Sequence, residues 1–382
     1  MTTNQIIDEK VSGFVAPGYE RVLETFRKNF DDHKEVGAAC CVHVGGRIMV
    51  DLWGGLANPA TGKPWEADTP VPIFSSTKGI TAICVHRLVQ TGTLDLDAPV
   101  VKYWPEFAAE GKASVLLRWV LSHRAGVPAV DQHFTLEDVL DWSAVVAAVA
   151  AQKLEWEPGT RHGYHARTYG WILGEVVRRV TGKSLGRFFS DEIAGPLGLD
   201  CWIGLPEEIE SKVASIVPPE RSTNPAVRAA VARLMGPTTL LGRTITKPDN
   251  LFAYDERWNT RPYHAAELPS TNGIGTARAL SRMYAATIGE IDGIRLLEPS
   301  TVGAACLEQS AGTDAVLGSP TRYGVGFSLF GPEGSFGSPG AGGSLGFADT
   351  TNRLAFGYVM NRMHLTDNSR ATALAQSVYQ SL

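Results

Sequence analysis

Two residues in the run Asp68-Thr-Pro-Val-Pro-Ile-Phe-Ser75-Ser-Thr-Lys78-Gly79-Ile80 have the types and the spacing to do covalent chemistry together. A serine hydroxyl is a poor nucleophile until a base takes its proton and nearby dipoles stabilise the charge that develops. A lysine three residues on shares a helix face with that serine, and the positive end of the helix favours an alkoxide. Shielded from water beside other positive potential, a lysine loses proton affinity and can act as the base. The spacing also arises by chance in a chain of 382 residues, where it marks an exposed helix start with a solvated lysine.

The flanking residues predict how this pair is held. Pro70 and Pro72 keep the approach extended, Ser75 is a good cap residue, and Ile80, Cys84 and Leu88 recur four apart along a helix to about Gln90. A second candidate, Tyr164, lies in Glu157-Pro-Gly-Thr-Arg-His-Gly-Tyr164-His165-Ala166-Arg167, just before a strong helix whose inner face is Tyr169, Ile172, Leu173, Val176, Val177 and Val180. A tyrosine near a lysine ammonium can be stabilised as phenolate and relay a serine proton, although one tyrosine by itself establishes nothing. A third stretch, Gly337-Ser338-Pro339-Gly340-Ala341-Gly342-Gly343, leads into a strand. Its glycines let backbone approach a ligand, and an edge-strand amide there can donate to an oxyanion together with the amide of Ser75. A plain turn before a strand has the same composition.

Around these stretches the pattern changes twice. Val22, Phe26 and Phe30 mark a helix over 19–30, and Gly45-Gly46 joins two strand-like runs, 38–44 and 47–53, into a hairpin. Helical periodicity dominates from Ser75 for about two hundred residues. Strands are expected again at 323–330, 343–348 and 354–360, with Thr276 capping a helix before them and a closing helix from about Thr366. The expected architecture is α/β in the α+β sense: an antiparallel sheet built from residues 1–74 and 288–382, with a mostly helical domain, 75–287, inserted. Residues 206–269, rich in Pro, Arg and Asn with scattered aromatics, read as a lid or pocket wall, or as packed loop.

Composition bounds the function. A net charge of −5 and 44% apolar residues describe a soluble globular chain without the basic field that attracts nucleic acid or an anionic membrane. Five cysteines without metal-ligand spacing read as reduced core residues. With neither a signal-like N-terminus nor a long apolar run, the expected location is the cytoplasm. No phosphate-cradling motif appears, and His162 and His165 lack a carboxylate partner, so neither cofactor nor metal is expected.

Taken in order, Phe74-Ser75-Ser-Thr-Lys78-Gly79, Leu121-Ser-His-Arg-Ala-Gly-Val-Pro128, Pro158-Gly-Thr through Tyr164 to Leu185, Pro196-Leu-Gly-Leu199, Asn272-Gly273 and Gly340 to Asp349 resemble the serine β-lactamase and penicillin-binding protein superfamily, and most of all its family VIII carboxylesterases. The resemblance implies a β-lactamase-like fold and an acyl-enzyme on Ser75, with Lys78 and Tyr164 sharing the general-base work. It implies an oxyanion hole of the Ser75 and Ala341 amides, since Ala341 follows the triplet Ser338-Pro339-Gly340, and substrate contacts at Ser338, Gly340 and Ala166. Two departures bear on substrate. Ala166 replaces an asparagine that would hydrogen-bond a lactam amide, and Ser338 replaces the lysine that would hold a carboxylate. The expected substrate is a small, neutral, short-chain ester.

Other readings compete. A β-lactamase, a D-amino-acid peptidase or a transacylase shares the fold, as does a penicillin-recognising protein without turnover. Gly342-Gly-Ser344-Leu-Gly346 matches the nucleophile elbow of α/β-hydrolases, with Asp349 and His364 following. That motif needs a helix after Ser344, where the sequence reads as strand, and fewer than forty residues remain for the missing parts.

Overall fold

The computed structural model describes residues 5–6, 10–220, 222–246, 250–364 and 369–382. Its main sheet is antiparallel and draws on both ends of the chain. The order runs Gln5–Ile6, Val11–Val15, Arg47–Asn58, Gly37–Val44, Leu354–Met360, Leu345–Asp349, Ser335–Pro339, Ser328–Leu329, Pro320–Tyr323, Ser310–Thr313. Alternation within the central strands explains why both faces are covered. Cys40 and Val42 point toward the helices Glu20–Asp32 and Ser369–Tyr379, whereas Ala39 and Cys41 point toward Ala277–Ile288. The hairpin turns at Gly45 and Gly46, both at positive φ (57° and 81°), a conformation that glycine adopts without steric cost. The start expected for the closing helix, near Thr366, lies outside the described residues.

Several local expectations change. Residues 323–330 do not form one strand: Pro320–Tyr323 and Ser328–Leu329 flank a loop. Ser338 lies within the strand Ser335–Pro339, which the Gly-Ser-Pro composition disguises and which pairing with Leu345–Asp349 holds in place. The following strand begins at Leu345, not at 343.

Residues 206–269 contain short helices, including Pro225–Leu234, Leu240–Thr246 and Arg261–Ala265. Their aromatics Phe252, Trp258 and Tyr263 are buried. A second, three-stranded sheet joins Val71–Phe74 to Gly273–Gly275 and Cys201–Trp202. It delivers the chain to the helix Thr77–Gln90. Cys40, Cys41, Cys84 and Cys201 are buried and Cys306 is partly exposed; all five are free thiols.

Candidate active site

The turn that presents Ser75 is strained. Phe74 has φ 47°, an uncommon conformation for a bulky residue, and its ring packs edge-on against Tyr254 and Trp258 at centroid distances of 5.5 and 5.0 Å. The helix cap is Ser76 rather than Ser75, and its hydroxyl does not cap. That hydroxyl donates instead to the Ser338 carbonyl at 3.0 Å, tying the serine turn to the strand Ser335–Pro339. Ser75 is thus left just outside the helix N-terminus with its side chain free for chemistry.

The hydroxyl of Ser75 lies between two groups from distant segments. Tyr164 donates its phenolic hydrogen to Ser75 Oγ at 2.8 Å, and Lys78 Nζ stands 3.4 Å from the same oxygen. Lys78 Nζ also donates to the carbonyls of Ala166 and Ser270, each at 2.9 Å. Burial, reinforced by the Arg167 guanidinium, holds the Lys78 ammonium well below its usual proton affinity. A neutral amine has two hydrogens, and both are engaged by these carbonyls. Its lone pair is then directed at Ser75.

Burial also pushes the Tyr164 phenol up to about 12, against the smaller opposing effect of its hydrogen bond to Ser75. The resting phenol is therefore protonated and stands as a hydrogen donor to Ser75. His123 and His165, buried beside them, are also neutral. His165 accepts from the Val127 amide at Nε2 and meets the Gly163 carbonyl at Nδ1, while burial lowers it to about 4. His162 meets the Thr321 hydroxyl, so neither ring of the possible metal pair is aimed at a shared site.

The remaining expected positions are placed differently. Ala166 is buried, absent from the cavity wall, and acts through its carbonyl on Lys78. Ser338 lies on the wall of a cavity of about 440 Å³ that opens over Ser75. A Cβ on Gly340 would come within 2.3 Å of the Ile73 carbonyl, so glycine is needed to bring this turn against the serine segment. The amides of Ser75 and Ala341 have no internal acceptor among the described residues, which leaves both available to a ligand. Ser344 is buried and donates to the Ile73 carbonyl at 2.8 Å, a structural bond that keeps it away from the cavity.

Several contributors carried no legible signal. His123 lines the cavity, its ring tilted against that of Tyr164 with centroids 5.0 Å apart. Arg167 and Ser270 act on Lys78 from buried positions, and no local spacing announces them.

The cavity is otherwise apolar along one side, where Leu317, Phe327, Leu329 and Phe330 face it. Among the described residues its arginine is Arg322, which pairs with Glu308 at 2.7 Å. No helix among the described residues is long and apolar enough to cross a membrane.

Comparison with known proteins places this geometry. A family model described as Beta-lactamase matches residues 19–380. The esterase/beta-lactamase LipL of Mycobacterium tuberculosis is 36% identical over 370 residues, covering 93% of this chain and 83% of the relative. Among solved structures, a family VIII carboxylesterase superposes with a TM-score of 0.87 at 37% identity, over 98% of this chain and 100% of the other. A penicillin-binding protein homolog from Caulobacter crescentus gives a TM-score of 0.87 at 34% identity, over 97% and 100% of the respective chains.

Proposed function

This chain belongs to the beta-lactamase family, and from that membership we propose a serine carboxylesterase that cleaves neutral esters through an acyl-enzyme on Ser75. The observation that carries the reading is the position of Ser75 Oγ, 2.8 Å from a phenol that donates to it and 3.4 Å from an amine whose other partners are two carbonyls. In the acylation step Lys78 takes the Ser75 proton as Oγ bonds to the ester carbonyl carbon. The carbonyl oxygen becomes an anion facing the amides of Ser75 and Ala341. Collapse breaks the bond to the alcohol oxygen. That oxygen takes a proton from Tyr164, and Lys78 returns the serine proton to the phenol. Water then enters, and Lys78 takes one of its protons as its oxygen bonds to the acyl carbon; the bond from that carbon to Oγ breaks, Oγ takes a proton from Tyr164, Lys78 returns its proton to the phenol, and the carboxylic acid leaves with Ser75 restored.

The walls support a neutral substrate. Ser338 stands where a cation would hold a carboxylate and supplies none, and Arg322 is paired with Glu308, so an anionic lactam would meet no dedicated counter-charge from these residues. Leu317, Phe327, Leu329 and Phe330 instead favour an apolar acyl or alkyl group of modest size.

The test compares p-nitrophenyl butyrate with nitrocefin on the purified protein, Ser75→Ala and Ser344→Ala. Ester turnover that is abolished in Ser75→Ala, retained in Ser344→Ala and faster than nitrocefin turnover is expected. Activity that survives Ser75→Ala, or nitrocefin outpacing the ester, would overturn the assignment.

A further inference from the structure

We propose that Asp314 is the positioning residue for Tyr164, locking the phenol and the wall of the substrate cavity into one rigid unit. Asp314 is completely buried and lies 150 residues from Tyr164 in sequence. Its Oδ1 accepts from three backbone amides: Tyr164 at 3.0 Å, Val316 at 2.8 Å and Leu317 at 2.9 Å. Its Oδ2 faces the hydroxyls of Thr321 and Tyr323 at 3.4 and 3.5 Å. Leu317, Thr321 and Tyr323 are all cavity residues.

A buried carboxylate persists only where donors satisfy it, and here they come from both the tyrosine segment and the wall. Two further contacts close the same junction. The Ala315 amide donates to the His162 carbonyl at 3.0 Å, and the His162 ring meets the Thr321 hydroxyl at 3.0 Å. Among the described residues the partners of the Asp314 side chain are these N–H and O–H groups. The carboxylate therefore fixes where the Tyr164 backbone begins, and the 2.8 Å contact between phenol and Ser75 follows from that anchor. Displacing a proton donor by about 1 Å costs on the order of a hundredfold in rate.

The proposal rests on the reading of Tyr164 as proton donor, and a double-mutant cycle separates the two. Wild type, Asp314→Ala, Tyr164→Phe and the double variant are assayed on p-nitrophenyl butyrate, with kcat normalised to active sites by burst titration. Asp314→Ala is expected to lower kcat about ten- to a hundredfold, and to cost less than about threefold when added to Tyr164→Phe, because a removed hydroxyl needs no placing. Asp314→Asn keeps an acceptor oxygen for the Tyr164 amide and is expected to recover most of the activity that Asp314→Ala loses. An undiminished loss in the Tyr164→Phe background, or an unchanged kcat in Asp314→Ala, overturns the proposal. So does an Asp314→Asn variant that folds with a wild-type melting temperature yet is as slow as Tyr164→Phe, a result that decides the matter even if the alanine variant is insoluble. Unimpaired turnover in Tyr164→Phe alone identifies the failure as that of the underlying mechanism.

Discussion

A lysine amine held by two carbonyls and directed at a serine has consequences for stability as well as rate. Lys78→Met should lower turnover by about a hundred- to ten-thousandfold, the usual worth of general-base assistance. The stability effect has a definite sign. Burial and Arg167 depress the folded-state proton affinity of Lys78 below the ordinary 10.5, so between those two values the unfolded chain holds a proton that the folded one lacks. Wild-type stability relative to Lys78→Met therefore rises with pH through that window and levels off above 10.5. Urea unfolding of both proteins at neutral and alkaline pH checks this, and a difference that is flat or falls with pH contradicts it. Ser75 and Lys78 could be singled out in the sequence because three-residue spacing on a helix makes proximity local. Ala166 could not be read correctly, since its contribution is a main-chain carbonyl that any side chain would provide.

The elements show why the serine turn depends on a segment with no periodicity of its own. Trp258 and Tyr254 brace Phe74 in its left-handed conformation, and Trp258 is almost fully buried with its indole N–H donating to the Ala253 carbonyl at 2.9 Å. Trp258→Ala should cost about 3–5 kcal/mol as a large-to-small core substitution, read as a lowered urea midpoint. It should also reduce kcat, because Phe74 would relax and carry Ser75 with it. A stable variant with unchanged kcat would show that the brace is dispensable.

The helices of 206–269 escaped the sequence reading for physical reasons. Arg261–Ala265 is barely longer than one turn, and Pro225–Leu234 buries none of its residues, so neither writes an apolar stripe into the chain. By contrast the helix Thr168–Thr181, with its inner face buried and Gly182 ending it in the left-handed region, was legible from period and cap alone.

Across the whole molecule, the two ends of the chain close on each other and on the turn that carries Ala341. Glu35 and Arg370 form a fully buried ion pair at 2.6 Å, joined by the Tyr358 hydroxyl. The Arg370 guanidinium also donates to the Gly342 carbonyl at 2.5 Å. Glu35→Ala would leave that guanidinium buried without its counter-charge, at a cost of about 3–5 kcal/mol. Denaturant unfolding is expected to show that loss, and a change below about 1 kcal/mol would mean the pair is solvated or replaceable. A sheet fed from both termini was readable in the return of strand alternation after residue 320. The sheet's extension through Ser310–Thr313 was not, because that strand is mostly exposed and alternates nothing.

The central claim is covalent, and intact-protein mass spectrometry after brief exposure to p-nitrophenyl butyrate, followed by peptide mapping, tests it most directly. The account predicts one butyryl group on the peptide carrying Ser75, absent from Ser75→Ala and prolonged in Tyr164→Phe. A butyryl group on the peptide carrying Ser344, or steady turnover with Ser75 replaced, would contradict it.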